Sequence, residues 1–284
     1  MTQQDDNKTR DDEGEVQANL NHEESQKVSE MEHVPTSVIF EAIRREGDHE
    51  LKRPLSALWW SGVTAGIAIS TSVLCKGLFV SVLPDADWAG AVSNIGYTVG
   101  FLIVILARMQ LFTENTITPI LPMFIDPSWK KMFKISRLWL IVFTANMVGC
   151  LVAAVVMSNG DLIPQERFEG VLKVSRHYAE ATPWQHLVRG MPAGFMIAAL
   201  VWILPRMEGA GEVLMIFIIT FMIGFGEMSH VVAGATELFL LVLRGEIGVS
   251  SAIFGGIFPA FAGNVIGGTG IFAVMTFAQV REEI

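Results

Sequence analysis

Six stretches free of charge divide this chain, and their lengths leave few architectures open. A helix needs about 20 apolar residues to cross a bilayer. Leu55–Cys75 holds 21 uncharged residues, Trp88–Ala107 holds 20, Leu138–Gly160 holds 23, Gly190–Pro205 holds 16, Val213–Gly226 holds 14 and Ile247–Val280 holds 34. Trp184 precedes the fourth stretch, where an interfacial aromatic anchor belongs. The expected class is an all-α polytopic membrane protein with six membrane elements over residues 55–280. An even number of crossings returns both termini to the same side.

Charge supports the division. Of 284 residues, 51% are hydrophobic and only 17% charged, below the quarter or so usual in soluble domains. Residues 1–50 carry 14 acidic and 5 basic side chains, and the remaining 234 carry 15 of each. Residues 1–34 read as a disordered acidic tail, too poor in apolar side chains to offset ordering entropy. Residues 35–54 read as an interfacial segment. Within it Val38, Ile39, Ala42 and Ile43 mark the apolar face of an amphipathic helix over 35–50, followed by Arg44 and Arg45. No signal peptide is expected, since the N-terminus lacks an apolar h-region. With no basic stripe, nucleic acid is not an expected partner.

Lys and Arg placement sets the expected orientation. Ten basic residues flank the elements on the N-terminal side, and five lie on the other, within a 161–189 connection read as a loop and at Arg244. The expectation is a cell (inner or plasma) membrane protein with cytoplasmic N- and C-termini.

The two halves, about 55–160 and 185–280, echo one another. Ser61-Gly62-Val63-Thr64-Ala65-Gly66 is matched 128 residues later by Arg189-Gly190-Met191-Pro192-Ala193-Gly194, and Asn146-x-x-Gly149 is matched 118 residues later by Asn264-x-x-Gly267. Three elements per half is an odd number, so the halves must insert in opposite directions, as in an inverted repeat. The middle element of each half is broken at a corresponding place. The second meets Arg108-Met109-Gln110-Leu111-Phe112-Thr113-Glu114-Asn115, and the fifth meets Glu227-Met228-Ser229-His230 and continues to Glu237. Irregular polar backbone at membrane depth is tolerated only where it is buried in protein or lines a cavity.

Leu111-Phe112-Thr113 after a glycine-containing apolar helix, Trp139 with Asn146-x-x-Gly149, His230-Val231-Val232-Ala233, and Pro259 with Gly263-Asn264-x-x-Gly267-Gly268 together resemble the formate/nitrite transporter family. The resemblance spans about residues 36–280. It implies an aquaporin-like helical fold, a homopentamer with one pore per protomer, and passage of small monovalent anions such as formate, nitrite or hydrosulfide.

His230 is the sharpest candidate, because an ionisable group inside a membrane segment is a functional hypothesis by default. By resemblance it is the central pore histidine. Its bland alternative is a structural histidine bonded between helices. Thr113 by resemblance faces it, or caps the following helix. Leu111, Phe101, Tyr97 and Ile223 fall where the family places apolar constrictions; packing is the alternative reading for each.

Arg108, Glu114 and Glu227 are supporting charges, with Arg108 expected to pair with one of the two glutamates, as buried charges normally are. The family has a small residue at Arg108 and commonly an asparagine at Gly234, and Ser229 precedes the histidine here. Lys173 or Arg176 is a candidate for the basic pore mouth.

A bare anion in a dry constriction faces a cost of tens of kcal/mol. Protonating an acid of pKa near 4 at pH 7 costs only about 4 kcal/mol. The expectation is a channel or transporter for small weak-acid anions, with His230 supplying or stabilising a proton. An imidazole suits this, its ordinary pKa lying near physiological pH. A neutral-solute or water channel on the same fold would carry flux indifferent to pH, and a non-transporting scaffold would carry none. No HExxH, GxSxG or paired-metal pattern appears, and Cys75 and Cys150 form no metal or redox motif, so neither enzymatic activity nor a cofactor is expected.

Overall fold

The computed structural model describes residues 34–159 and 162–283. The expected tail at 1–34 therefore falls, for residues 1–33, outside the described residues. The first helix, α1 (Thr36–Glu50), buries Ile39, Phe40, Ile43, Gly47 and Glu50 along one stripe. Val38 and Ala42, expected on that face, are exposed instead.

The next helices are α2 (Leu55–Val80), α3 (Ala89–Leu106), the short α4 (Leu121–Ile125) and α5 (Trp129–Met157). They are followed by α6 (Gln165–Ala179), α7 (Pro183–Ile203), α8 (Ala210–Phe225), α9 (Val231–Leu243) and α10 (Ser251–Val280). Among the described residues, five helices are long and apolar enough to cross a membrane: α2, α3, α5, α7 with its terminal turn, and α10. The helices α8 and α9 are shorter and apolar. The chain is a multi-pass membrane protein.

Several boundaries differ from those read off hydropathy. The helix α5 starts at Trp129, not Leu138, and carries Lys130, Lys131, Lys134 and Arg137 in its first turns. Ser128 caps it, its Oγ accepting from Lys131 N at 3.3 Å. A helix propagates wherever its backbone bonds are made, whether or not lipid surrounds it, so hydropathy marks where lipid contact ends and not where helix ends. Likewise α7 begins at Pro183, ahead of Gly190, on a reciprocal cap between Thr182 and Gln185. The 161–189 connection is not simply a loop. It holds α6, whose Phe168, Gly170, Val171, Leu172, Val174 and Ser175 are buried while its other face is charged.

The packing repeats itself. The helix α2 lies against α5 and α3, α7 lies against α10, α3 against α8, and α9 against α5 and α6. At the α2–α5 crossing, a Cβ on Gly66 would collide with the Asn146 carbonyl. At the α7–α10 crossing, a Cβ on Gly194 would collide with the Asn264 carbonyl. Small residues let membrane helices approach this closely. Gly66→Val is expected to lower stability by about 1–3 kcal/mol or more, read as a reduced melting temperature of the detergent-solubilised protein. An unchanged melt would show that the helices separate freely there. The outward faces carry exposed Leu, Ile, Val and Phe, and Trp60, Trp88, Trp129 and Trp184 are exposed near helix ends, where interfacial tryptophans concentrate.

Candidate functional site

Two non-helical breaks, one after α3 and one between α8 and α9, frame the site and are built alike. The helix α3 ends as Arg108 turns to φ 50°, and α8 ends as Glu227 turns to φ 51°. Met109 N donates to Val104 O and Met228 N to Ile223 O, both at 3.0 Å. Each is the long return bond of a left-handed helix terminus. Neither position is glycine, so both turns are locally unfavourable and are held by their surroundings.

What holds them is a pair of buried asparagines. Asn146 Nδ2 donates to Gly62 O at 2.8 Å and to Gln110 O at 2.9 Å, while its Oδ1 accepts from Phe112 N at 2.8 Å. Asn264 Nδ2 donates to Gly190 O and Ser229 O, both at 2.8 Å, while its Oδ1 accepts from Val231 N at 2.9 Å. Each side chain is wholly buried. Each satisfies the backbone that its break leaves without a helical partner, as buried peptide groups require.

The breaks bring Thr113 and His230 together. Thr113 Oγ1 and His230 Nε2 lie 2.8 Å apart, and both residues are buried. His230 also caps α9, its Nδ1 accepting from Ala233 N at 3.3 Å. A ring whose Nδ1 accepts an amide hydrogen carries its own hydrogen on Nε2 when neutral. That hydrogen donates to Thr113 Oγ1. The Thr113 hydroxyl hydrogen then has no acceptor among the described residues. Phe101 meets the His230 ring edge-on at 4.8 Å, and Tyr97 packs on Phe101 at 5.3 Å. Leu111 and Ile223 are fully buried at the two breaks. All six expected site residues are buried, and contacts link Tyr97, Phe101, His230 and Thr113 in series.

The supporting charges sit differently. Arg108 is exposed and, among the described residues, forms no ion pair. It stands exposed just past the end of α3, and the expected pairing with Glu114 or Glu227 is not made. Glu227 pairs with His177 Nε2 at 2.9 Å and with Arg189 at 3.4 Å. Glu114 Oε1 is buried without a partner among the described residues. Arg176 is tied to Glu246 at 2.7 Å, whereas Lys173, the other expected mouth residue, forms no ion pair among the described residues. Gly234, where an asparagine is common, is required here: Tyr178 occupies the space a Cβ would take.

At the Lys76 end of α2 the structure opens into a vestibule of ≈ 360 Å³. Tyr97, Lys173, Glu227 and Ser229 line it, as do Lys76, Asn94, Tyr178, His186 and Glu237, five residues that sequence reasoning did not select. His186 is buried, with Nδ1 3.1 Å from Ser229 Oγ. No local pattern marks these residues, because they converge from α2, α3, α6, α7 and α9. Among the described residues no group of three or more His, Cys, Asp or Glu is placed to hold a metal.

At the opposite end, α1 touches the first break. Gln110 Nε2 donates to Glu50 at 3.0 Å, and Asn115 Nδ2 donates to Gln110 Oε1 at 3.1 Å. Burial pushes the Glu50 carboxyl above the ordinary carboxylate range, against the pull of Arg53. A carboxyl raised in this way binds its proton more tightly when folded, so stability is greatest below its unfolded pKa and falls as pH rises through the raised value. Thermal stability is therefore expected to increase on acidification through that range, and Glu50→Gln to remove the increment. An identical pH profile in the variant would contradict the assignment.

The fold and site define a multi-pass membrane protein whose breaks meet at one buried polar pair. The formate/nitrite transporter family profile matches residues 37–278. The chain belongs to the formate/nitrite transporter family. It is 36% identical over 246 residues to the inner membrane protein YfdC of Escherichia coli (strain K12), covering 87% of this chain and 79% of that one. Among solved structures it is similar to an FNT family ion channel, with TM-score 0.72 and 18% identity over 86% of this chain and 98% of the other. It is also similar to a pentameric formate channel with formate bound, with TM-score 0.68 and 16% identity over 80% and 98%.

Proposed function

We propose that the chain forms a pore for small monovalent weak-acid anions of the formate and nitrite kind, and that Thr113 and His230 are its central polar station. The observation that carries this reading is the 2.8 Å contact between them at the meeting point of two chain breaks. In this reading α3 with its following segment, and α8 with α9, are the second and fifth of six membrane elements, both broken, in an inverted three-plus-three repeat. The matched turns at Arg108 and Glu227 and the matched bonds of Asn146 and Asn264 support it. Phe101 and Tyr97 on one side, with Leu111 and Ile223, form the apolar constriction.

The constriction sets the chemistry. A solute crossing it sheds water, and a charged one pays far more than a neutral one. The anion therefore passes as its neutral acid, accepting the Thr113 hydroxyl hydrogen while the His230 ring fixes that hydroxyl. His230 stabilises the acid and does not supply its proton, since both ring nitrogens are engaged in the neutral ring. The protomer assembles as a homopentamer in the inner membrane, with α1 and both termini cytoplasmic and the vestibule facing outward. The solved pentameric formate channel of similar fold and the lysine and arginine bias support this placement.

The test is uptake into proteoliposomes of formate, nitrite and acetate against glycerol and water. Uptake of the small acids that rises as external pH falls is expected. Flux of glycerol or water indifferent to pH, without acid flux, would replace this reading with a neutral-solute channel.

A further inference from the structure

We infer that Glu237, facing Lys76 across the vestibule, is the group that hands the entering anion its proton. This rests on the pore reading above and supplies the donor that His230 cannot be. Glu237 is 5% exposed and makes no hydrogen bond to a described residue. Its remaining exposure opens on the vestibule. Lys76 lines the same space, its ammonium 5.6 Å from the centre of the Tyr97 ring, and no described carboxylate lies within 4 Å of it. A purely structural buried pair closes into contact and bonds its remaining lone pairs, since the desolvation penalty is otherwise uncompensated. These two groups stay open to the cavity. Asn94 Oδ1, buried and without a partner, lines it too.

Position along the helix fits a donor. Glu237 lies seven residues beyond His230, the cap of α9. Seven residues are two turns, so both side chains share one face, about 10 Å apart along the axis. Facing Glu237 are Lys76 from α2, Tyr97 from α3, Tyr178 from α6 and His186 from α7. At the rim stand Lys173, Asp87 and Glu227, the last already engaged by His177 and Arg189. Lys76 is thus the cation left to hold an anion deep in the vestibule.

The step balances. A hydronium ion of the external solution gives its proton to the Glu237 carboxylate and leaves as water, freeing Lys76 of its counter-charge, and an anion settles against the ammonium. The O–H bond on Glu237 breaks as one forms on the anion. The neutral acid moves on to Thr113 and His230, and Glu237, again a carboxylate, compensates Lys76 and discourages the next bare anion. On the far side the acid releases the proton to water, so one proton crosses with each anion and no net charge moves.

The experiment uses the full-length protein in proteoliposomes, with formate as probe, an internal pH dye and current recording. The wild type is expected to carry protons with formate at a fixed ratio and without net current. Glu237→Gln is expected to lose about tenfold in formate flux, together with most of its dependence on external pH; Glu237→Asp is expected to keep that dependence. Lys76→Met is expected to raise half-saturating formate about tenfold. A Glu237→Gln profile matching the wild type would overturn the assignment. So would net negative current with formate in the wild type, which decides the matter even if the variants fail to assemble. Absence of any acid flux in the wild type would instead remove the pore reading itself.

Discussion

Replacing His230 by alanine is expected to reduce formate uptake by about one to two orders of magnitude without unfolding the protein. The ring performs two tasks, fixing the Thr113 hydroxyl through Nε2 and capping α9 through Nδ1. Losing a cap costs about 1 kcal/mol, which a buried helix packed against α2, α5, α6 and α10 tolerates. Losing the polar station removes one hydrogen bond to a solute that has no water to replace it, worth about 1–3 kcal/mol or about five- to 150-fold in rate. Uptake assays beside size-exclusion profiles separate the two effects. Wild-type flux from a well-assembled His230→Ala protein would show that the conduit lies elsewhere.

The largest effect on stability is expected at Asn146 and Asn264. Substituting leucine for either leaves one buried carbonyl and one buried amide of the non-helical segment without partners. For Asn146 these are Gln110 O and Phe112 N, while Gly62 O keeps its helical partner within α2. Each orphaned group costs about 1–3 kcal/mol. Their sum is a large fraction of the 5–15 kcal/mol typical of a domain. Both variants are expected to melt far below the wild type in detergent and to lose the two left-handed turns. Asn146→Asp keeps the acceptor for Phe112 N but neither donation, and falls in between. A leucine variant melting with the wild type would mean that the breaks are held by packing alone.

The framework of these predictions was readable from spacing. The matched Asn-x-x-Gly segments announced residues that make the same three bonds at two places, and His230 stood out because so little else in the apolar segments ionises. What spacing could not supply was direction across the membrane helices. Lys76 and Glu237 are 161 residues apart and meet only because α2 and α9 turn the right faces toward one space. His186 looked like part of a connection because hydropathy locates lipid contact, while the cap at Thr182 starts α7 before the lipid-facing stretch. The helix α6 was hidden for the same reason: its apolar residues meet protein, and its polar face meets water. Arg108 misled because burial was assumed for it, and it stands exposed just past the helix end instead.

The central claim is that Thr113 and His230 act as one unit on a passing solute. A double-mutant cycle on formate flux tests it, using Thr113→Val, His230→Asn and the two combined in the same vesicles. If they are one unit, the double variant falls no further than the worse single variant, because removing either partner already disables the pair. Losses that multiply, or a single variant that conducts like the wild type, would contradict the account.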